Sequence, residues 1–65
     1  MSVFIPTQRL RGTLRYLGPI DGKHGIWAGV ELDEAGMGKN DGSVAGRAYF
    51  SCPPNSGIFV APSKV

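Results

Sequence analysis

Ten glycines and five prolines among 65 residues cut this chain into pieces too short for helix to dominate. Between the breaks lie short apolar runs, so the expected fold is all-β: a small, strongly bent antiparallel sheet or barrel with long glycine-rich loops. Strands are expected over residues 13–17, 27–32 and 58–60, with shorter pieces at 43–44 and 48–50. Loops cover 22–25, 34–42 and 52–56. A chain of this length holds one unit with a thin core, burying roughly 60% of its unfolded surface. No composition shift, low-complexity tract or repeat divides residues 1–65.

Side chains two apart on a strand share a face. In Trp27-Ala28-Gly29-Val30-Glu31-Leu32 the set Ala28, Val30 and Leu32 is apolar throughout and belongs to the core. Trp27 then falls on the opposite face with Gly29 and Glu31, leaving the only tryptophan partly exposed. Ile58 and Val60 repeat the core pattern, which turns Phe59 toward the face of Trp27. Exposed rings are enriched where partners dock. Either ring could instead cover a second small core, and Trp27 alone does not separate the two readings.

The pentapeptide Gly38-Lys39-Asn40-Asp41-Gly42 spends five positions on an exposed turn. An ammonium supplies up to three donors and a side-chain amide two more, so Lys39 and Asn40 together can hold a carboxylate. Taken alone, Asn-Asp-Gly is a common turn and a lysine is ordinarily solvated, so the loop by itself reads as structural. Together with Trp27, Phe59 and the bare Gly29, it points to a groove for a peptide end carrying a ring and a carboxylate. Burying one ring of about 150–250 Å² contributes roughly 4–6 kcal/mol. Charge-assisted hydrogen bonds add about 3–6 kcal/mol against association costs of about 4 kcal/mol or more, which sets micromolar affinity as the expectation.

The run Gly12-Thr13-Leu14-Arg15-Tyr16-Leu17-Gly18-Pro19, then residues 25–33, Gly46-Arg47-Ala48-Tyr49-Phe50 and Gly57-Ile58-Phe59-Val60, resembles a CAP-Gly domain from about Ile5 to Val65. The resemblance implies an SH3-like fold, no catalysis and no cofactor. It implies a module of a longer cytoplasmic, microtubule-associated protein with a plus-end tracking or linker role. Implied partners are the acidic C-terminal tails of α-tubulin and of end-binding proteins, which end in Tyr or Phe, with dimerisation left to segments outside these residues. By motif position, Lys39 and Asn40 would take the tail's carboxylates and Trp27 and Phe59 would line the pocket for its terminal ring. Gly38, Asp41 and Gly42 would shape the loop, and Tyr49 and Phe50 would be core. Many relatives carry an aromatic at Gly22 and a basic residue at Ala48 or Ala61, so this groove is expected to be shallower and less basic. Lys23 and His24 in the adjacent loop could compensate for the missing bases, although both read first as solvated loop residues.

Charge and cysteine usage narrow the alternatives. A net charge of +2 is weak for nucleic-acid binding, although Arg9, Arg11 and Arg15 could meet phosphates while Trp27 stacks on a base. Residues 24–41 are net −3 and surround Lys39, so either the acids neutralise it or the fold turns them away and brings bases such as Arg47 toward it. Cys52 has no disulfide partner and no companions for a metal site, and it reads as a small buried thiol. No acid/base pair, phosphate loop or triad suggests an enzyme. No run is apolar enough to span a bilayer and no signal pattern opens the chain, so a cytosolic location is expected.

Overall fold

The computed structural model describes residues 1–65. Six strands form: β1 Ser2–Ile5, β2 Leu10–Pro19, β3 Ile26–Leu32, β4 Ser43–Val44, β5 Arg47–Ala48 and β6 Gly57–Val60, with a 3-10 turn at Pro62–Lys64. They build an open antiparallel sheet in the order β1-β2-β3-β6 and a separate β4-β5 ribbon. The all-β expectation holds, and β1 and β6 are the edges of the large sheet. No helix is long and apolar enough to cross a membrane.

One face of the sheet carries the core. Register places Leu14 opposite Val30 and Val30 opposite Ile58, so these three side chains lie in one row. Ile5, Val30, Leu32 and Ile58 are buried together, with Val3, Leu10, Leu14 and Val60 packed around them. Each fully buried aliphatic contributes about 1.5–3 kcal/mol. Ala28, Val30 and Leu32 are all buried, as the alternation requires. The missed β1 supplies Ile5, a wholly buried core member.

An irregularity in β2 matters more for the site. Between Leu14 and Tyr16 the register with β3 shifts, so that Tyr16, not Arg15, stands opposite Gly29. A β-bulge of this kind inserts one residue and re-aims the side chains after it. Strict alternation would leave Tyr16 on the core face with Leu14. The shift turns its ring to the other face, where Phe59 also stands opposite Gly29.

Candidate functional site

On this second face, a row runs from Tyr16 through Gly29 to Phe59. The gap left by Gly29 is filled by rings: a Cβ there would lie 2.6 Å from the Phe50 ring and 2.9 Å from that of Phe59. Tyr16 and Tyr49 stack at 5.2 Å between centroids, Tyr49 and Phe59 at 5.7 Å, and Phe50 and Phe59 at 5.5 Å. Tilted and edge-on pairs at such spacings are mutually attractive. Phe59 therefore sits half-buried at the centre of a four-ring cluster. Tyr49 and Phe50 belong to this second cluster and not to the aliphatic core, which corrects their assignment as core. β5 also ends before them, at Ala48.

The Gly38–Gly42 loop docks against the start of β6 through its backbone. Lys39 and Asn40 both donate their amides to the Gly57 carbonyl, at 2.8 and 3.0 Å, and Gly57 returns a 2.8 Å bond to the Asn40 carbonyl. Inside the loop, Asn40 Oδ1 accepts the Gly42 amide at 2.9 Å. Asp41 Oδ1 accepts the Ser43 amide at 3.1 Å and the Ser43 hydroxyl at 2.5 Å. These bonds, the hydroxyl's first, hold the exposed Asp41 carboxyl below the usual carboxylate range. Gly42 has φ of +97°, and a Cβ on it would overlap the Phe50 carbonyl oxygen. That carbonyl crowding and the left-handed backbone make glycine obligatory at this position.

Between loop and cluster lies a cleft of about 280 Å³ lined by Ile20, Lys23, Lys39, Asn40, Val44 and Phe59. Two hollows of similar size elsewhere are lined mainly by polar and charged groups around Arg11 and Asp33 and hold none of the rings described above. Lys39 makes no ion pair, because the acids around it in sequence are engaged or remote. Glu31 pairs with Arg15 at 2.9 Å, Asp41 is satisfied by Ser43, and Asp33 and Glu34 line a hollow with Arg9 and Arg11. Of the two readings of the acidic stretch, the acids turn away. The base that joins Lys39 is Lys23, not Arg47, which pairs instead with Asp21 at 2.6 Å and stacks on Tyr49 at 5.3 Å. The Asp21 carboxylate raises the Arg47 pKa above its ordinary value.

Trp27 shares this face but stands outside the four-ring cluster. Its Nε1 donates to the His24 carbonyl at 3.0 Å, and the Lys23 ammonium lies 5.3 Å from the ring. Trp27 is not among the residues that line the cleft and meets it only through Lys23, which is exposed, as its reading as a solvated lysine expects. Cys52 is half-buried behind the loop, with Sγ 4.0 Å from the Asn40 carbonyl, and burial pushes its pKa up. Of the arginines grouped for phosphate contact, Arg15 is engaged by Glu31, while Arg9 and Arg11 share a hollow with the acids Asp33 and Glu34, and Arg11 lies 5.5 Å from the Phe4 ring.

Comparison with known proteins settles the family. The family model described as "CAP-Gly domain" matches residues 2–65. The chain belongs to the CAP-Gly domain family. Human kinesin-like protein KIF13B is 54% identical over 54 residues, covering 83% of this chain and 3% of that protein. Mouse tubulin-folding cofactor B is 54% identical over 55 residues, covering 85% of this chain and 22% of that protein. This CAP-Gly chain thus spans a small part of the curated relatives it matches. Among solved structures, the Bik1 CAP-Gly domain with an ETF peptide from Bim1 superposes with a TM-score of 0.87 at 48% identity, covering 98% of this chain and 76% of that one.

Proposed function

We propose that this CAP-Gly chain is a non-catalytic module that binds acidic C-terminal peptide tails ending in Tyr or Phe, those of α-tubulin and of end-binding proteins. The observation that carries the reading is one cleft bringing together an unpaired ammonium on Lys39, the amide of Asn40 and the apolar wall of Ile20, Val44 and Phe59. Asn40 spends its Oδ1 on Gly42, which leaves Nδ2 to donate to a ligand carboxylate. Lys39 adds the charge, and Phe59, braced by the neighbouring rings, offers a rigid surface to a terminal aromatic. Trp27 extends that surface beyond Lys23. Gly38, Asp41 and Gly42 hold the loop in its docked shape.

The relatives support this reading. The Bik1 domain was solved with an ETF peptide, and ETF in one-letter code combines an acid with an aromatic ring. The names kinesin-like and tubulin-folding associate two relatives with microtubule biology. The chain accordingly acts as one module of a longer cytoplasmic protein on the microtubule cytoskeleton, in plus-end tracking or as a linker.

Calorimetric titration with a synthetic tail peptide tests it. Amidating the peptide's C-terminus, or removing its last ring, is expected to weaken binding at least tenfold, since each removes a charge-assisted contact or a buried ring. Equal affinity for the amidated peptide would rule out terminal capture.

A further inference from the structure

We infer that Lys23 is a second anion-binding group of the cleft and makes it selective for ligands that carry an acidic side chain besides the terminal carboxylate. The inference rests on the peptide-binding reading and deepens it. Lys23 and Lys39 line the same cleft from different loops. The ion pairs of the molecule are Arg15 with Glu31 and Arg47 with Asp21, so both cleft ammoniums lack a partner carboxylate. Asp21, two residues from Lys23, is held by Arg47. Asp41, two residues from Lys39, accepts from Ser43. A ligand with one carboxylate can pair with one ammonium and leaves the other without a partner. A ligand with two satisfies both.

Lys23 is exposed, yet its ammonium is placed in advance. Its amide donates to the Ile20 carbonyl at 3.0 Å, fixing the backbone of the turn. Its ammonium lies 5.3 Å from the Trp27 ring, attracted by the ring's negative face. The indole is held in turn by the bond from Nε1 to the His24 carbonyl, so residues 23, 24 and 27 form a closed unit. A side chain already confined loses less rotamer freedom on meeting an anion. Trp27 on this account is a positioning residue for the ammonium as well as part of the groove. Lys39 and Asn40 take the terminal carboxylate while Lys23 takes an acidic side chain two residues before the ring.

The experiment titrates the 65-residue chain with synthetic peptides ending Glu-Thr-Phe and Gln-Thr-Phe, for the wild type, Lys23→Gln and Lys23→Arg. The wild type is expected to prefer the Glu peptide by about threefold to fivefold, the scale of one solvent-exposed charge pair. Lys23→Gln should bring the ratio close to one, and Lys23→Arg should keep it. The ratio should also shrink with added salt. An undiminished ratio in Lys23→Gln overturns the role of Lys23 while leaving peptide binding intact. Failure of the wild type to bind either peptide overturns the parent reading and this inference with it.

Discussion

The cleft is bounded by two loops built on opposite principles. The Gly38–Gly42 loop is fastened by backbone: its amides and carbonyls pair with Gly57, Asn55 and Cys52, and Gly42 receives the amides of Tyr49 and Phe50. The loop between β2 and β3 is fastened by side chains. Tyr49 OH accepts the Asp21 amide, Arg47 pairs with Asp21 and Trp27 reaches back to His24, while the only backbone tie is from Lys23 to Ile20. Backbone ties survive most substitutions, whereas side-chain ties can be altered one at a time. The first loop therefore suits a fixed chemical task, and the second suits variation between relatives.

The sharpest way to break this contrast is to place the same methyl group in each loop. At Gly42 a Cβ overlaps the Phe50 carbonyl, with φ at +97°. At Gly22, φ is +82° and nothing lies within 4 Å. Gly42→Ala is expected to cost at least about 3 kcal/mol, combining overpacking with left-handed strain. Gly22→Ala should cost about 1 kcal/mol, the strain alone. Urea melts of the two variants decide the matter, and equal midpoints would mean that the loops are not held differently.

Asn40 separates the docking of the first loop from its chemistry. Asn40→Ala removes the acceptor of the Gly42 amide and should lower stability by about 1 kcal/mol, together with the loss of peptide affinity. Asn40→Asp keeps an Oδ1 to accept that amide but replaces the Nδ2 donor with negative charge. Its melt should stay close to wild type while binding of a carboxylate-ended peptide falls by at least tenfold. A folded Asn40→Asp protein with unchanged affinity would leave the loop a scaffold only.

For the second loop the corresponding cut is Arg47→Ala. The Arg47–Asp21 pair is exposed on both sides and screened by solvent, so its removal should leave the urea midpoint close to that of the wild type. Its effect should appear locally instead, as faster hydrogen exchange of the Asp21 and Lys23 amides with no change at Lys39, Asn40 or Gly57. Uniform acceleration across both loops would show that they open as one unit.

How much of this was legible in the sequence depends on the same division between regular and irregular backbone. Period-two alternation in β3 and β6 located the core residues and turned Trp27 and Phe59 to the other face, because those strands pair without a bulge. The pentapeptide announced its turn chemistry, and the Asx bonds of Asn40 and Asp41 are what such residues make. Tyr16 was hidden, since the shift beside Arg15 reverses its face and no residue type there signals a bulge. Lys23 was legible as a candidate base of the neighbouring loop, but not its link to Trp27 and Lys39. Its place depends on a ring four positions later and on a loop that only tertiary structure brings near. Tyr49 and Phe50 read as core from their place in the family motif, and only the contact of Phe50 with the bare Gly29 and of both rings with Phe59 reveals a second cluster.

The smallest expected effect concerns Asp41, and its sign is set by the bonds the carboxylate accepts. The Ser43 hydroxyl and then the Ser43 amide favour the ionised form, so the folded-state pKa lies below the ordinary carboxylate value. The stabilisation from these bonds is complete above the ordinary carboxylate range and is lost as pH falls through the lowered folded value. In Asp41→Asn the side-chain oxygen still accepts from Ser43 but no longer titrates, so the acid arm of the stability curve should flatten slightly while stability near neutrality changes little. The group is fully exposed, so solvent screens most of the effect. Urea midpoints measured from neutrality down to the acid range in both proteins test this. A steeper acid arm in Asp41→Asn would mean that the Asp41 carboxylate destabilises the turn, and the backbone ties to Gly57 would then hold the loop against it.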